Sequence, residues 1–141
     1  MKETISKVTI ARMQIEKACG LHLECNYVCA LTLAGSSEGL THEFSEVHGR
    51  ESGDYWYVKC IRFLREKAGS QSPSTTDILK NKNWARNSVK HHQAGAPEEI
   101  KINLEFESFL AIKRSIENYQ CLGYPQTDCM ELFNERTREY G

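Results

Sequence analysis

Apolar residues recur at three- and four-residue steps along most of this chain, a spacing that predicts helices. Val8, Ala11, Ile15, Ala18 and His22 form one such stripe, extended by Ile5, so a first helix is expected over about Glu3–Leu23. Asn26 then reads as the N-cap of a second helix over about Tyr27–His48. That segment carries a bulky line, Leu33, Leu40, Phe44 and Val47, beside a small one, Ala30, Ala34, Ser37 and Thr41, with Gly35 and Gly39 nearby. Small residues permit close approach of a neighbour, which places this helix at the centre of a bundle. His42 and Glu43 are expected to face solvent or a neighbouring chain rather than form a site.

A turn is expected at Gly49–Gly53, followed by Asp54 as the N-cap of a third helix over about Tyr55–Ala68. Trp56, Cys60 and Phe63 fall on one line of it, and Tyr57, Ile61 and Leu64 on another. The run GSQSPSTT, residues 69–76, is a loop within one domain, since neither flank is large enough to fold alone. Thr76 or Asp77 caps a fourth helix running to about His92, with a kink expected around Asn81–Asn83. Ile100, Ile102, Leu104 and Phe106 alternate as in a strand. No second run pairs with it, so residues 97–105 are read as an extended arm. A fifth helix is expected over about Glu105–Cys121, with Phe106, Phe109, Ile112, Ile116 and Tyr119 in register and Gly123 ending it. The last, over about Thr127–Tyr140, carries Cys129, Met130, Phe133 and Tyr140. The pattern amounts to a single all-α domain over residues 1–141, an up-and-down bundle of five to six helices.

Composition agrees: 40% hydrophobic and 26% charged residues describe an ordinary globular chain rather than a disordered one. No apolar run approaches membrane-spanning length, and the N-terminus lacks a signal-peptide apolar block, so no membrane partner is expected and a cytoplasmic location is. A formal net charge of −1 argues against a broad nucleic-acid track. Charge is nevertheless uneven. Lys80, Lys82, Arg86 and Lys90 face only Asp77 between Thr76 and Ala96, and an acidic segment with Glu98, Glu99, Glu105 and Glu107 follows. A local basic patch fits a confined site, and it also fits a solvated helix face.

The 6 cysteines contain no CxxC pair, so neither a zinc ribbon nor a redox pair is suggested. Cys25 and Cys29 lie 4 apart, which on a helix would put them on one face, and with His22 close by a metal site built from His22, Cys25 and Cys29 is conceivable. The plainer reading makes the cysteines small buried apolar residues in a reducing compartment, with no metal and no other cofactor.

The run NWARNSVKHH, Asn83–His92, places an arginine, an asparagine, a lysine and two histidines in one helix. Histidine suits general acid and base chemistry near neutral pH, and arginine is a permanent planar donor for phosphate. Asn83, Asn87 and His91 step by four and share a face, with Arg86 and Lys90 on the face beside it. Arg86 and His91 stand about 140° apart around a regular helix, so one straight helix does not aim both at one atom. A bend would do so, and so would a second copy across a two-fold axis. Spacing alone is weak, because an arginine followed about five to seven positions later by a histidine is expected about once by chance in such a composition. Arg86 and Lys90 also read as surface charge pairing with the acidic arm, and His91 and His92 as cationic groups complementing a helix C-terminus.

Asn87 directly after Arg86, and Lys90 directly before His91, add weight. The combination resembles the HEPN superfamily, small helical bundles whose signature is Arg, usually followed by a polar residue, then His after four to six intervening residues. Arg86, Asn87 and His91 match it, with His92 as a second candidate. The helix ALTLAGSSEGL and the arm PEEIKINLEF are similar to uncharacterised bacterial HEPN-like proteins. The resemblance implies a homodimer with motifs facing across the interface and metal-independent endoribonuclease activity, often in toxins or phage defence with an antitoxin-type partner. RNA is then the substrate, with Arg86 and His91 catalytic and Asn87, Lys90, His92 and Asn83 supporting. An inactive, dimeric HEPN-like binding module is the alternative. In one toxin branch a modified tyrosine follows the histidine by two positions; Gln93 stands there in this chain.

Overall fold

The computed structural model describes residues 1–51 and 53–140, with the side chain of Tyr140 left out. Among the described residues 6 α-helices follow in order: α1 Lys7–Leu23, α2 Tyr27–Val47, α3 Gly53–Lys67, α4 Thr75–Lys90, α5 Leu104–Cys121 and α6 Asp128–Arg136. A 3₁₀ turn, Arg138–Tyr140, ends the described chain, and no strand occurs among the described residues. The chain is thus an all-α bundle.

Helix α1 begins four residues later than expected because Ser6 caps it, its Oγ accepting from the Thr9 N–H at 3.0 Å. Ile5 therefore lies outside the helix and is 48% exposed, while Val8, Ala11, Ile15, Ala18 and His22 are all buried as the stripe requires.

On α2 the small line, not the bulky one, enters the core: Ala30, Ala34, Ser37 and Thr41 are buried, while Val47 is exposed. Such a seam carries hydroxyls into the interior, where each must find a partner. Each does so on a carbonyl one turn back: Ser37 to Ala34 at 2.8 Å, Thr41 to Ser37 at 2.8 Å and Ser45 to Thr41 at 2.9 Å. From α5, Ser115 Oγ crosses the seam to the Ala34 carbonyl at 2.9 Å. The main apolar core gathers Ile15 and Cys19 of α1, Leu31 of α2, Phe109, Ile112 and Ile116 of α5, and Met130 and Phe133 of α6. Phe106, expected in the α5 stripe, sits in the first turn and is exposed. The Tyr140 side chain, expected on the last stripe, and Ser52, within the expected turn, lie outside what is described.

Helix α3 departs most from expectation. Val58 is its one buried residue; Trp56, Cys60, Phe63 and Leu64 are exposed. The helix rides on the periphery, and lysines cover its aromatics: Lys59 Nζ lies 4.3 Å from the Tyr55 ring centroid and Lys67 Nζ lies 5.6 Å from that of Phe63. Asp54 belongs to its first turn rather than capping it.

Helix α4 starts at Thr75 because Ser74, not Thr76 or Asp77, is its cap, with Oγ accepting from the Asp77 N–H at 3.1 Å. It runs as unbroken helix through residues 81–83 and stops at Lys90, two residues short of the expected end. The arm after it is non-helical as expected, but ends at Asn103, whose side chain caps α5 by accepting from the Phe106 N–H at 3.1 Å.

Candidate functional site

The buried face of α4, Ile78, Lys82 and Ala85, fixes how the helix lies and which side chains it presents. Arg86, next to Ala85, is held against α2 at Gly35. A Cβ on Gly35 would overlap Arg86 Cγ and Cδ, so only glycine lets the arginine stem lie there. Arg86 Nη1 donates to the Gly35 carbonyl at 3.3 Å, which pins the head group at the rim of α2.

Past Lys90 the backbone leaves the helix. His91 is the C-cap, at φ −132° and ψ 137°, with its N–H still bonded to the Asn87 carbonyl at 2.9 Å. This change of direction supplies the bend that a straight helix lacks. Arg86, Asn87, Lys90 and His91 consequently line one cleft of about 350 Å³, closed on the other side by Gly35, Ser36, Gly39, Leu40 and Glu43 of α2. Of the two remedies open to a straight helix, a bend or a second copy, the single chain has the bend, and all four residues line the same cleft.

Asn87, Lys90 and His91 also form the wall of a second, larger depression of about 750 Å³ between α4 and residues 91–100. His92 lies there and not in the cleft, and Asn83, half-buried on α4, lines neither. The α2 wall was missed from the sequence, although two glycines one turn apart, Gly35 and Gly39, marked the place where another helix would come close.

The electrostatics favour an anion. Loss of water around Lys90, followed by the nearby Arg86 guanidinium, holds its ammonium below the usual lysine range. Two cations thus share one cleft, with the Glu43 carboxylate at its rim. A phosphate entering between them would stabilise both charged forms.

Lys82 is not part of this basic patch. It is 7% exposed and pairs with Glu38 of α2 and Asp54 of α3, and Arg114 Nε of α5 approaches Glu38 Oε1 at 3.2 Å. His42 joins the same group, its Nδ1 lying 3.7 Å from Asp54 Oδ2, so part of its ring faces α3 and the rest stays exposed beside Glu46. Glu43 is exposed as expected, but it also lines the candidate cleft, which was not expected of it.

The cysteines correct the sequence reading. Cys19 is buried, whereas Cys25, Cys29, Cys60, Cys121 and Cys129 are exposed. Cys25 lies in the turn after α1 with φ +63°, so no helical face unites it with Cys29. His22 points inward instead, with Nδ1 2.8 Å from Ser108 Oγ. Among the described residues no group of three His, Cys, Asp or Glu side chains is placed to hold a metal ion. Nor is any described helix long and apolar enough to cross a membrane. Comparison with family models, curated proteins and solved structures gave no match to this chain.

Proposed function

We propose that the chain is a metal-independent endoribonuclease of the HEPN kind. The observation that supports this is the convergence of Arg86, Asn87, Lys90 and His91 on one cleft against Gly35. In the reaction, the ribose 2′-oxygen attacks the adjacent phosphorus and the bond to the 5′-oxygen breaks. His91 takes the proton from the 2′-hydroxyl or delivers one to the departing oxygen. Arg86 neutralises charge building on the phosphoryl oxygens, Lys90 binds the backbone, and Asn87 orients the imidazole or the phosphate. The products end in a 2′,3′-cyclic phosphate and a 5′-hydroxyl.

A two-fold dimer that brings two clefts together would supply one imidazole as base and the other as acid. A cytoplasmic toxin or phage-defence role, restrained by a protein antitoxin, belongs to the same proposal. A second reading, an inactive dimeric binding module, is favoured by one observation. The Arg86 guanidinium already donates to the Gly35 carbonyl, as a purely structural arginine would.

The test is RNA cleavage in chelator by the purified protein beside His91→Ala and Arg86→Ala. Cyclic-phosphate products that vanish in both variants support the enzyme. Unchanged cleavage in either variant overturns the assignment, and RNA retention without cleavage by the parent supports the binding module.

A further inference from the structure

The larger depression extends beyond the cleft in which the chemistry is placed and shares the wall of Asn87, Lys90 and His91 with it. Lys80, Trp84 and Asn87 step by four and three along one face of α4, and the extended backbone carries His91 to the end of that row. Pro97 and Ile100 of the returning arm form the opposite apolar side. The arm is shaped by a turn in which the Ala96 N–H bonds the Gln93 carbonyl at 2.9 Å, with Gly95 at φ +81°.

Trp84 is 45% exposed here, in the middle of a polar helix face. Large exposed aromatics beside cations are the parts from which single-strand binding sites are built: the ring takes a base by stacking and the cations follow the backbone. Lys80 and Lys90 line the depression against one carboxylate, Glu98, leaving an excess of positive charge. His91 stands 7 positions after Trp84, and such a step covers about 10 Å along a helix axis, a distance a nucleotide can bridge.

We propose that this depression is a nucleobase subsite, in which Trp84 stacks an unpaired base of a single-stranded RNA whose adjoining phosphate lies in the Arg86–His91 cleft. The proposal rests on the reading of that cleft as a site of phosphate chemistry. It makes single-stranded RNA the substrate, because a base held in a duplex stack has no free face to offer the indole. Residues Asn87, Lys90 and His91, common to both depressions, then sit between base and phosphate and couple the two.

The experiment uses the full chain and a short single-stranded 2′-O-methyl RNA, which cannot undergo 2′-oxygen attack. Binding is measured for the parent, Trp84→Ala and Trp84→Phe, with circular dichroism confirming the helical fold of each. Trp84→Ala should weaken binding about ten- to a hundred-fold, and Trp84→Phe should recover most of that. In Trp56→Phe, where Trp84 is the remaining indole, the oligonucleotide should quench the fluorescence. Equal binding by parent and Trp84→Ala overturns the subsite, as does equal affinity for a blunt RNA duplex. Failure of the two readings is distinguishable. If His91→Ala abolishes cleavage while Trp84→Ala leaves KM unchanged, the nuclease stands and the subsite falls. If no cleavage occurs but Trp84-dependent binding persists, the nuclease falls and the base site stands.

Discussion

Arg86 and Gly35 fit together as peg and hole: the arginine stem occupies the space where any other residue at position 35 would carry a Cβ, and Nη1 bonds the Gly35 carbonyl. The contact joins α4 to α2 and sets where the guanidinium points. Gly35→Ala should therefore displace Arg86 without dismantling the bundle. Overpacking costs about 1–3 kcal/mol, and alanine recovers about 1 kcal/mol of helix propensity, so urea unfolding should show a small net loss. RNA cleavage, if Arg86 acts on phosphate, should fall at least about tenfold, the effect of losing about 1.4 kcal/mol in the transition state. A double-mutant cycle checks the contact itself: in the Arg86→Ala background, Gly35→Ala should no longer destabilise. Strict additivity would show that the two residues do not touch in solution.

The second prediction concerns the ion group around Lys82. Glu38 is 2% exposed and Lys82 7%, so neither charge is solvated, and removing one strands the other. Breaking a buried pair typically costs about 3–5 kcal/mol. Lys82→Met should fall near the lower end, because Arg114 still pairs with Glu38. Pairing Lys82→Met with Glu38→Gln should cost less than the sum of the single changes, since it removes both buried charges. Chemical denaturation of the three variants measures this, and additive losses would mean that Glu38 and Lys82 do not interact.

These two contacts show where sequence reading succeeds and where it stops. The small-residue line on α2 was legible because hydroxyl and methyl side chains at four-residue steps have one efficient use, close helix packing. The α1 stripe was legible for the same periodic reason. The α3 lines misled because aromatic periodicity does not say whether a helix is central or peripheral; lysine stems can cover those rings as well as a core can. Lys82 looked like one more surface cation, since its carboxylate partners lie 44 and 28 positions away in the chain and no local pattern joins them. The candidate site residues stood out by type and spacing, but their meeting in one cleft depended on a helix ending at Lys90, with no glycine or proline there to announce it.

His22 makes stability depend on pH. It is buried against Ser108, with edge-on contacts to Tyr27 and Phe133, and burial lowers its imidazole below the ordinary value of 6.5, Glu105 acting in the opposite sense. The folded chain thus binds a proton here less readily than the unfolded chain. The stability this group lends is fully present above about pH 6.5 and is lost as pH falls through the lower, folded-state value. Thermal melting between pH 7.5 and 5, at about half-unit steps, should show Tm falling toward the acid side. His22→Gln should lower Tm at neutral pH and flatten the acid-side slope. An unchanged slope in that variant would assign the pH dependence to other groups.

The cysteines allow a prediction that needs no knowledge of function. Burial, with a smaller contribution from Cys129, pushes the Cys19 thiol up to about 12, so it carries almost no thiolate at neutral pH and has no path to reagent. Thiolate is the reactive form, and exposure governs access to it. Cys25, Cys29, Cys60, Cys121 and Cys129 should therefore react with a maleimide in the native protein, leaving Cys19 unmodified. Peptide mapping after brief labelling reads the sites directly, and labelling in urea should add Cys19. Because Cys19 packs in the same core as Ile15, Phe133 and Met130, its rate of modification in rising denaturant should follow opening of α1 and α6 from that core. Cys19 labelling in native buffer as fast as that of Cys129 would contradict the packing of α1 against α6 that places the two thiols close enough to influence each other.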